Sequence, residues 1–77
     1  MDIKPENVVI FKNGEEAKVV KIIKRKDINR MLIYFDKKVV GFLDEKAYIR
    51  NYWVYLFDGK FDSILRQGNN IVKVIPC

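Results

Sequence analysis

The apolar residues of this chain fall into short runs rich in Val, Ile and aromatics, punctuated by turn-forming dipeptides. Val8-Val9-Ile10-Phe11 is followed by Asn13-Gly14, and Tyr52-Trp53-Val54-Tyr55-Leu56-Phe57 by Asp58-Gly59. Asn-Gly and Asp-Gly take up positive φ at little cost, as a tight hairpin requires if its twist is to match that of its strands. β-Branched and aromatic side chains suit a pleated, half-buried surface. The pattern predicts a mainly β fold made of hairpins.

The first hairpin is expected over 7–12 and 16–24, joined by a two-residue turn at Asn13-Gly14. Residues 16–24 also carry Lys18, Lys21 and Lys24 at spacing three, which suits a short amphipathic helix. The β-branched Val19, Val20, Ile22 and Ile23 favour the strand. Residues 25–29 read as a polar loop. A second hairpin is expected from 30–35 and 39–43, turning at Asp36-Lys37-Lys38. Asp44 is placed to cap a short helical turn over 45–49, because its carboxylate can accept from free amides there. An aromatic strand follows at 52–57, then a strand or irregular segment at 60–65 and a turn at 67–70. A closing strand at 71–75 is stopped by Pro76. With 77 residues, the whole of 1–77 is expected to be a single β-rich domain. Its architecture reads as a small antiparallel barrel or strongly curved sheet of five to six strands, with at most one short helical turn near 44–50. Closure would remove exposed edges from a strongly β-prone chain.

The residue inventory excludes much chemistry. There is no His and no Thr, one Ser (Ser63) and one Cys (Cys77, the last residue). Without an imidazole, neither a Ser–His nor a Cys–His nucleophile can be assembled, and zinc sites built from Cys and His are excluded with them. Gly14, Gly41, Gly59 and Gly68 are isolated, so neither common phosphate-loop spacing occurs. Asp58 and Asp62 could hold a hard cation or act as an acid–base pair, but turn formation explains them better. Asp44-Glu45 is better explained as a helix start. The expectation is a protein that is not an enzyme, with no catalytic, cofactor or metal residues.

Charge is the more informative signal. Fifteen Lys and Arg against ten Asp and Glu give a net +5, favouring anionic partners and also ordinary solubility. Lys18, Lys21, Lys24, Arg25, Lys26 and Arg30 are accompanied by one acid, Asp27. In the strand reading Lys18 and Lys24 share one face and Lys21 lies on the other. Such a loop can attract phosphates by counterion release, or it can be a solvated connection between core strands. Tyr48, Tyr52, Trp53 and Tyr55 lie near Arg50, and stacking beside a cation is how single-stranded nucleic acids are held. Alternation puts Trp53, Tyr55 and Phe57 on one face, with Trp53 assigned to the core, and Tyr52, Val54 and Leu56 on the other. The candidate partner-binding residues are Lys21, Lys24, Arg25, Lys26, Arg30, Tyr48, Arg50 and Tyr52. No apolar run approaches the roughly 20 residues that span a bilayer, and the start lacks a basic segment leading into an apolar one. A lone cysteine gives no disulfide framework, so a cytoplasmic protein with no membrane partner is expected.

Two segments carry a resemblance. Lys60-Phe61-Asp62-Ser63-Ile64-Leu65, a short polar turn and Asn70-Ile71-Val72-Lys73-Val74 resemble the ending of small accessory proteins of Gram-positive phages and mobile elements. Asn13-Gly14-Glu15 resembles the turn in their opening strands. The likeness covers about 25 of 77 residues. The chain departs from it at Ser63 and Asn70, where acidic residues are usual. The resemblance implies an SH3-like β-barrel acting in the host cytoplasm, and no functional residue carries over. It implies a non-enzymatic binding protein that antagonises or sequesters a host-defence or regulatory factor. Two other partners fit the charge map: nucleic acid on the basic loop and aromatics, or a nucleotide-type anion at the interface of a homo-oligomer.

Overall fold

The computed structural model describes residues 3–58 and 69–77. Its strands are β1 (Val8–Phe11), β2 (Glu16–Arg25), β3 (Arg30–Leu43), β4 (Lys46–Leu56) and β5 (Ile71–Ile75). All neighbours pair antiparallel in the order β4-β3-β2-β1-β5, and the described residues contain no helix. β4 and β5 stand at the two edges, so this five-stranded sheet is not closed into a barrel. The expected segment at 60–65, the Asp58-Gly59 turn beyond Asp58, the 67–68 half of the last turn and the Asp58–Asp62 pair lie outside the described residues.

The first hairpin forms where the Asn-Gly signal places it, with a longer loop. Gly14 N donates to Phe11 O at 2.9 Å and Phe11 N to Glu15 O at 2.8 Å, leaving Lys12, Asn13 and Gly14 in a three-residue loop. Gly14 sits at φ 90°, the left-handed residue that such a loop needs in third place. Asn13 Oδ1 accepts from Glu15 N at 3.0 Å and stiffens the turn. Residues 16–24 are strand and not helix.

Two expectations are corrected. Asp36-Lys37-Lys38 does not end a hairpin but lies inside β3. Tyr34 pairs with Tyr52 and Val39 with Arg50, so Phe35 to Lys38 stand opposite Asn51 alone, a special bulge of four residues against one. Asp36 Oδ1 accepts from Lys18 N at 3.0 Å, giving the bulge a strand-like partner that local polarity did not reveal. Nor does Asp44 cap a helical turn. Leu43 pairs with Lys46, and Asp44 and Glu45 form the two-residue turn between them at φ 51° and 69°. Both positions demand positive φ. Asp tolerates this; for Glu45 it costs on the order of 1–2 kcal/mol, outweighed by the pairing on either side. Residues 46–50 are therefore strand.

A bulge in β2 changes which residues share a face. Val19 pairs with Phe35 and Lys21 with Tyr34, leaving Val20 unmatched. Ala17 and Val19 point into the core before it, and Ile22 packs against the core after it. Lys18 and Lys21 thus face outwards together, while Lys24 lines up with buried Met31 and Tyr55. The alternation that paired Lys18 with Lys24 fails at that one residue.

The core is Val9, Phe11, Ala17, Val19, Met31, Ile33, Phe35, Val39, Trp53, Tyr55 and Ile71, with Ile3 from the N-terminal segment. Phe11 and Phe35 meet edge to face at 5.3 Å, tying β1 to β3 across the strand between them. Trp53 is completely buried and its Nε1 donates to Val39 O at 3.1 Å, holding β3 just past its bulge. The ring lies on Gly41, where a Cβ would intrude on three of its atoms. Gly41 is a packing requirement.

Candidate functional site: a cation–aromatic row on the outer face

The side of β2, β3 and β4 away from the core carries three cross-strand rows. Register aligns Lys21 with Tyr34 and Tyr52, Ile23 with Leu32 and Val54, and Arg25 with Arg30 and Leu56. Successive rows are about 7 Å apart, from a rise near 3.4 Å per residue. The middle row is apolar and half-buried.

The first row is the most ordered. Tyr34 and Tyr52 stack at 5.2 Å between centroids, with 28° between their planes. Lys21 Nζ lies 5.4 Å from the Tyr34 centroid, and the Arg50 guanidinium 4.6 Å from that of Tyr52. Arg50 also lies 4.0 Å from the Trp53 ring, so two aromatic rings hold it. Its Nε is buried and has no hydrogen-bond partner among the described residues. Neither Lys21 nor Arg50 forms an ion pair with a described carboxylate. Cation–π contact holds each charge in place at about 0.5–1 kcal/mol, with no described carboxylate to neutralise it.

The basic loop is organised differently. Residues 26–29 close the β2–β3 hairpin, with Asn29 at φ 58° as its left-handed residue. Arg25 grips Asp27 through two bonds of 3.1 and 2.9 Å, which lowers the Asp27 pKa and raises that of Arg25. Arg30 Nη1 donates to the carbonyls of Ile28 and Asn29, each at 3.1 Å. These two arginines brace the loop. Lys24 and Lys26 are exposed and carry its outward charge.

The structure therefore brings Lys21, Arg50 and Tyr52 into one row and keeps Arg25 and Arg30 two rows away. Lys24 stands on the core side of β2, and Tyr48, 41% exposed, lies beyond the β3 bulge opposite Gly41. Tyr34 joins the row without having been singled out from sequence. Its signal was the alternation Arg30, Leu32, Tyr34 within a run read only as apolar. Base stacking on these tyrosines is not simple, because their faces are taken by each other and by the cations. What the row offers is two fixed positive charges on a rigid aromatic bar.

No group of three or more His, Cys, Asp or Glu that could hold a metal is present among the described residues. No helix of the described chain is long and apolar enough to cross a membrane. Comparison with protein families, with curated proteins and with solved structures finds no match to this chain.

Proposed function

We propose that the chain is a non-enzymatic binding protein whose outer β2–β3–β4 face holds an anionic partner, and that single-stranded nucleic acid fits this face best. The observation that carries the reading is the row itself: Lys21 and Arg50 are fixed by Tyr34 and Tyr52 and paired with no described acid. Lys26 extends the positive field at the loop. Phosphates would lie along the cations, and the half-buried Ile23, Leu32 and Val54 would receive the apolar parts of bases. The SH3-like curl implied by the resemblance belongs to this proposal, supported by the bulges at Val20 and Asp36–Lys38, which bend β2 and β3.

Fluorescence anisotropy with a labelled oligo-dT or oligo-U tests it. Contact with about four phosphates lowers affinity about 50-fold between 50 and 200 mM salt. Lys21→Glu and Arg50→Glu should each weaken binding at low salt, alike for all sequences. Absence of binding at low salt, or binding indifferent to salt, would refute the proposal.

A second reading has its own observation. Phe42 and Ile49 are 44% and 64% exposed on one face of the β3–β4 hairpin, an apolar surface suited to a protein partner such as an antagonised host factor. Ile49→Ser should then abolish antagonism of that factor without changing the oligonucleotide titration.

A further inference from the structure

The two edges of the sheet are not alike. β5 has five residues, Val72 stands unmatched in its pairing with β1, and Pro76 follows its last residue. Short length, a bulge and a proline all keep an edge from pairing with another chain. β4 has eleven residues, and none of these devices interrupts its first half. Lys46, Ala47, Tyr48 and Ile49 are all exposed, and Ile49, at 64%, is the most exposed large hydrophobic among the described residues. The cation in the middle of the strand, Arg50, is drawn onto the rings of Tyr52 and Trp53.

The Asp44-Glu45 turn fixes which backbone groups of β4 face outwards. The residues on either side of a two-residue hairpin turn bond to each other, so Lys46 is directed at Leu43. Hydrogen-bonding direction alternates along an antiparallel strand, which directs Tyr48 and Arg50 at β3 and Ala47 and Ile49 away from it. Among the described residues nothing bonds to the outward N–H and C=O of Ile49. An extended strand is the shape that fits such an edge.

We infer that this edge pairs with a second copy of itself, antiparallel and two-fold about Ile49. The two Ile49 residues then exchange a pair of backbone hydrogen bonds, and their side chains join Val40 of each copy in one apolar row. Tyr48 falls opposite the partner's Arg50, an aromatic ring beside a cation. Centring on Tyr48 would set Lys46 against Arg50, and centring on Arg50 would set that residue against itself. Like charges opposed across strands are unfavourable, so of these three registers only the one at Ile49 is self-complementary. That self-complementarity selects a second copy over an unrelated extended chain. The contact is small and belongs with weak interfaces, with a dissociation constant on the order of 100 µM. The inference does not rest on nucleic-acid binding, and its test uses the chain alone, without oligonucleotide or host factor.

Sedimentation equilibrium from ~20 µM to ~1 mM should show the average mass rising from near one chain towards two and no further. Exchange of the Ile49 amide, followed by NMR, should slow about fourfold over the same range, while the amides of Lys73 and Val74 keep their rates. Ile49→Lys, at an exposed position, places like charges on the two-fold and should weaken the dimer about tenfold or more. Val72→Lys, the same kind of change on β5, should leave it intact. A single chain at the highest concentration, growth beyond two chains, an unchanged Ile49 amide or a dimer that survives Ile49→Lys would overturn the inference. So would slowing at Lys73 and Val74, or loss of the dimer in Val72→Lys, either of which puts the contact on β5.

Discussion

Two rows of side chains cross the same three strands one residue apart. Ile22, Ile33 and Trp53 run along the core side, and Lys21, Tyr34 and Tyr52 along the other. In the first, Ile33 and Trp53 are wholly buried and the indole N–H is satisfied by Val39 O. In the second, rings stack at half-burial and each end carries a charge. Both contain large aromatics, so composition does not separate a structural row from an interactive one. What separates them is what stands at the ends: the core row closes on apolar neighbours, the outer row on cations paired with no described acid.

The sharpest way to break this contrast is truncation on each side. Trp53→Ala should cost about 3–5 kcal/mol in denaturant unfolding, as for other buried aromatics. Gly41→Ala attacks the same row by overpacking the indole, and a loss of about 1–3 kcal/mol is expected. If Gly41→Ala is neutral in the same assay, Trp53 is not held as tightly as its contact with Gly41 implies.

Alkaline pH probes the core side again, through Tyr55. Burial pushes its phenol well above the ordinary range, and its hydroxyl has no partner among the described residues. A folded-state pKa raised above the unfolded value gives stability that is complete below the unfolded pKa of about 10 and declines as pH rises beyond it. Stability should fall by about 1.4 kcal/mol per pH unit above about pH 10, read by urea unfolding at pH 9, 10 and 11. Tyr55→Phe should flatten that slope.

The smallest stability effect belongs to the outer row. Tyr52→Ala removes one cross-strand aromatic pair and should cost under about 1 kcal/mol, while oligonucleotide binding falls because Arg50 loses one of its supports. A loss near that of Trp53→Ala would show that the outer row is a second core and not a contact surface.

Much of this was legible in the sequence. β-Branched density gave the strands, Asn13-Gly14 gave the first hairpin, and alternation put Trp53 and Tyr55 on one face, with Trp53 assigned to the core, and Tyr52 on the other. The failures share a cause, which is that they depend on a partner strand. Asp36-Lys37-Lys38 has a turn's composition, yet its flanks both pair with β4, and that is visible only once β4 is in place. Asp44-Glu45 lacks the Gly that usually marks a two-residue hairpin turn, so the same residues read as a helix start. Tyr34 gained meaning only from register, which set it between Lys21 and Tyr52. The loop at 24–30 drew attention by its charge, but Asp27 and the loop carbonyls occupy its two arginines, leaving Lys24 and Lys26 as its outward charge.

Val20, the unmatched residue of β2, works as a phase shifter. Upstream of it odd-numbered residues serve the interior, and downstream even-numbered ones do. Replacing Val20 should therefore be mild, because its side chain is 48% exposed. Deleting it would remove the bulge and its bend while leaving Lys21 and Ile23 outward, whereas pairing Val20 into the ladder would turn both inward. Reading frames of side chains, and not only the chemistry of each one, decide which surface this protein shows to the outside.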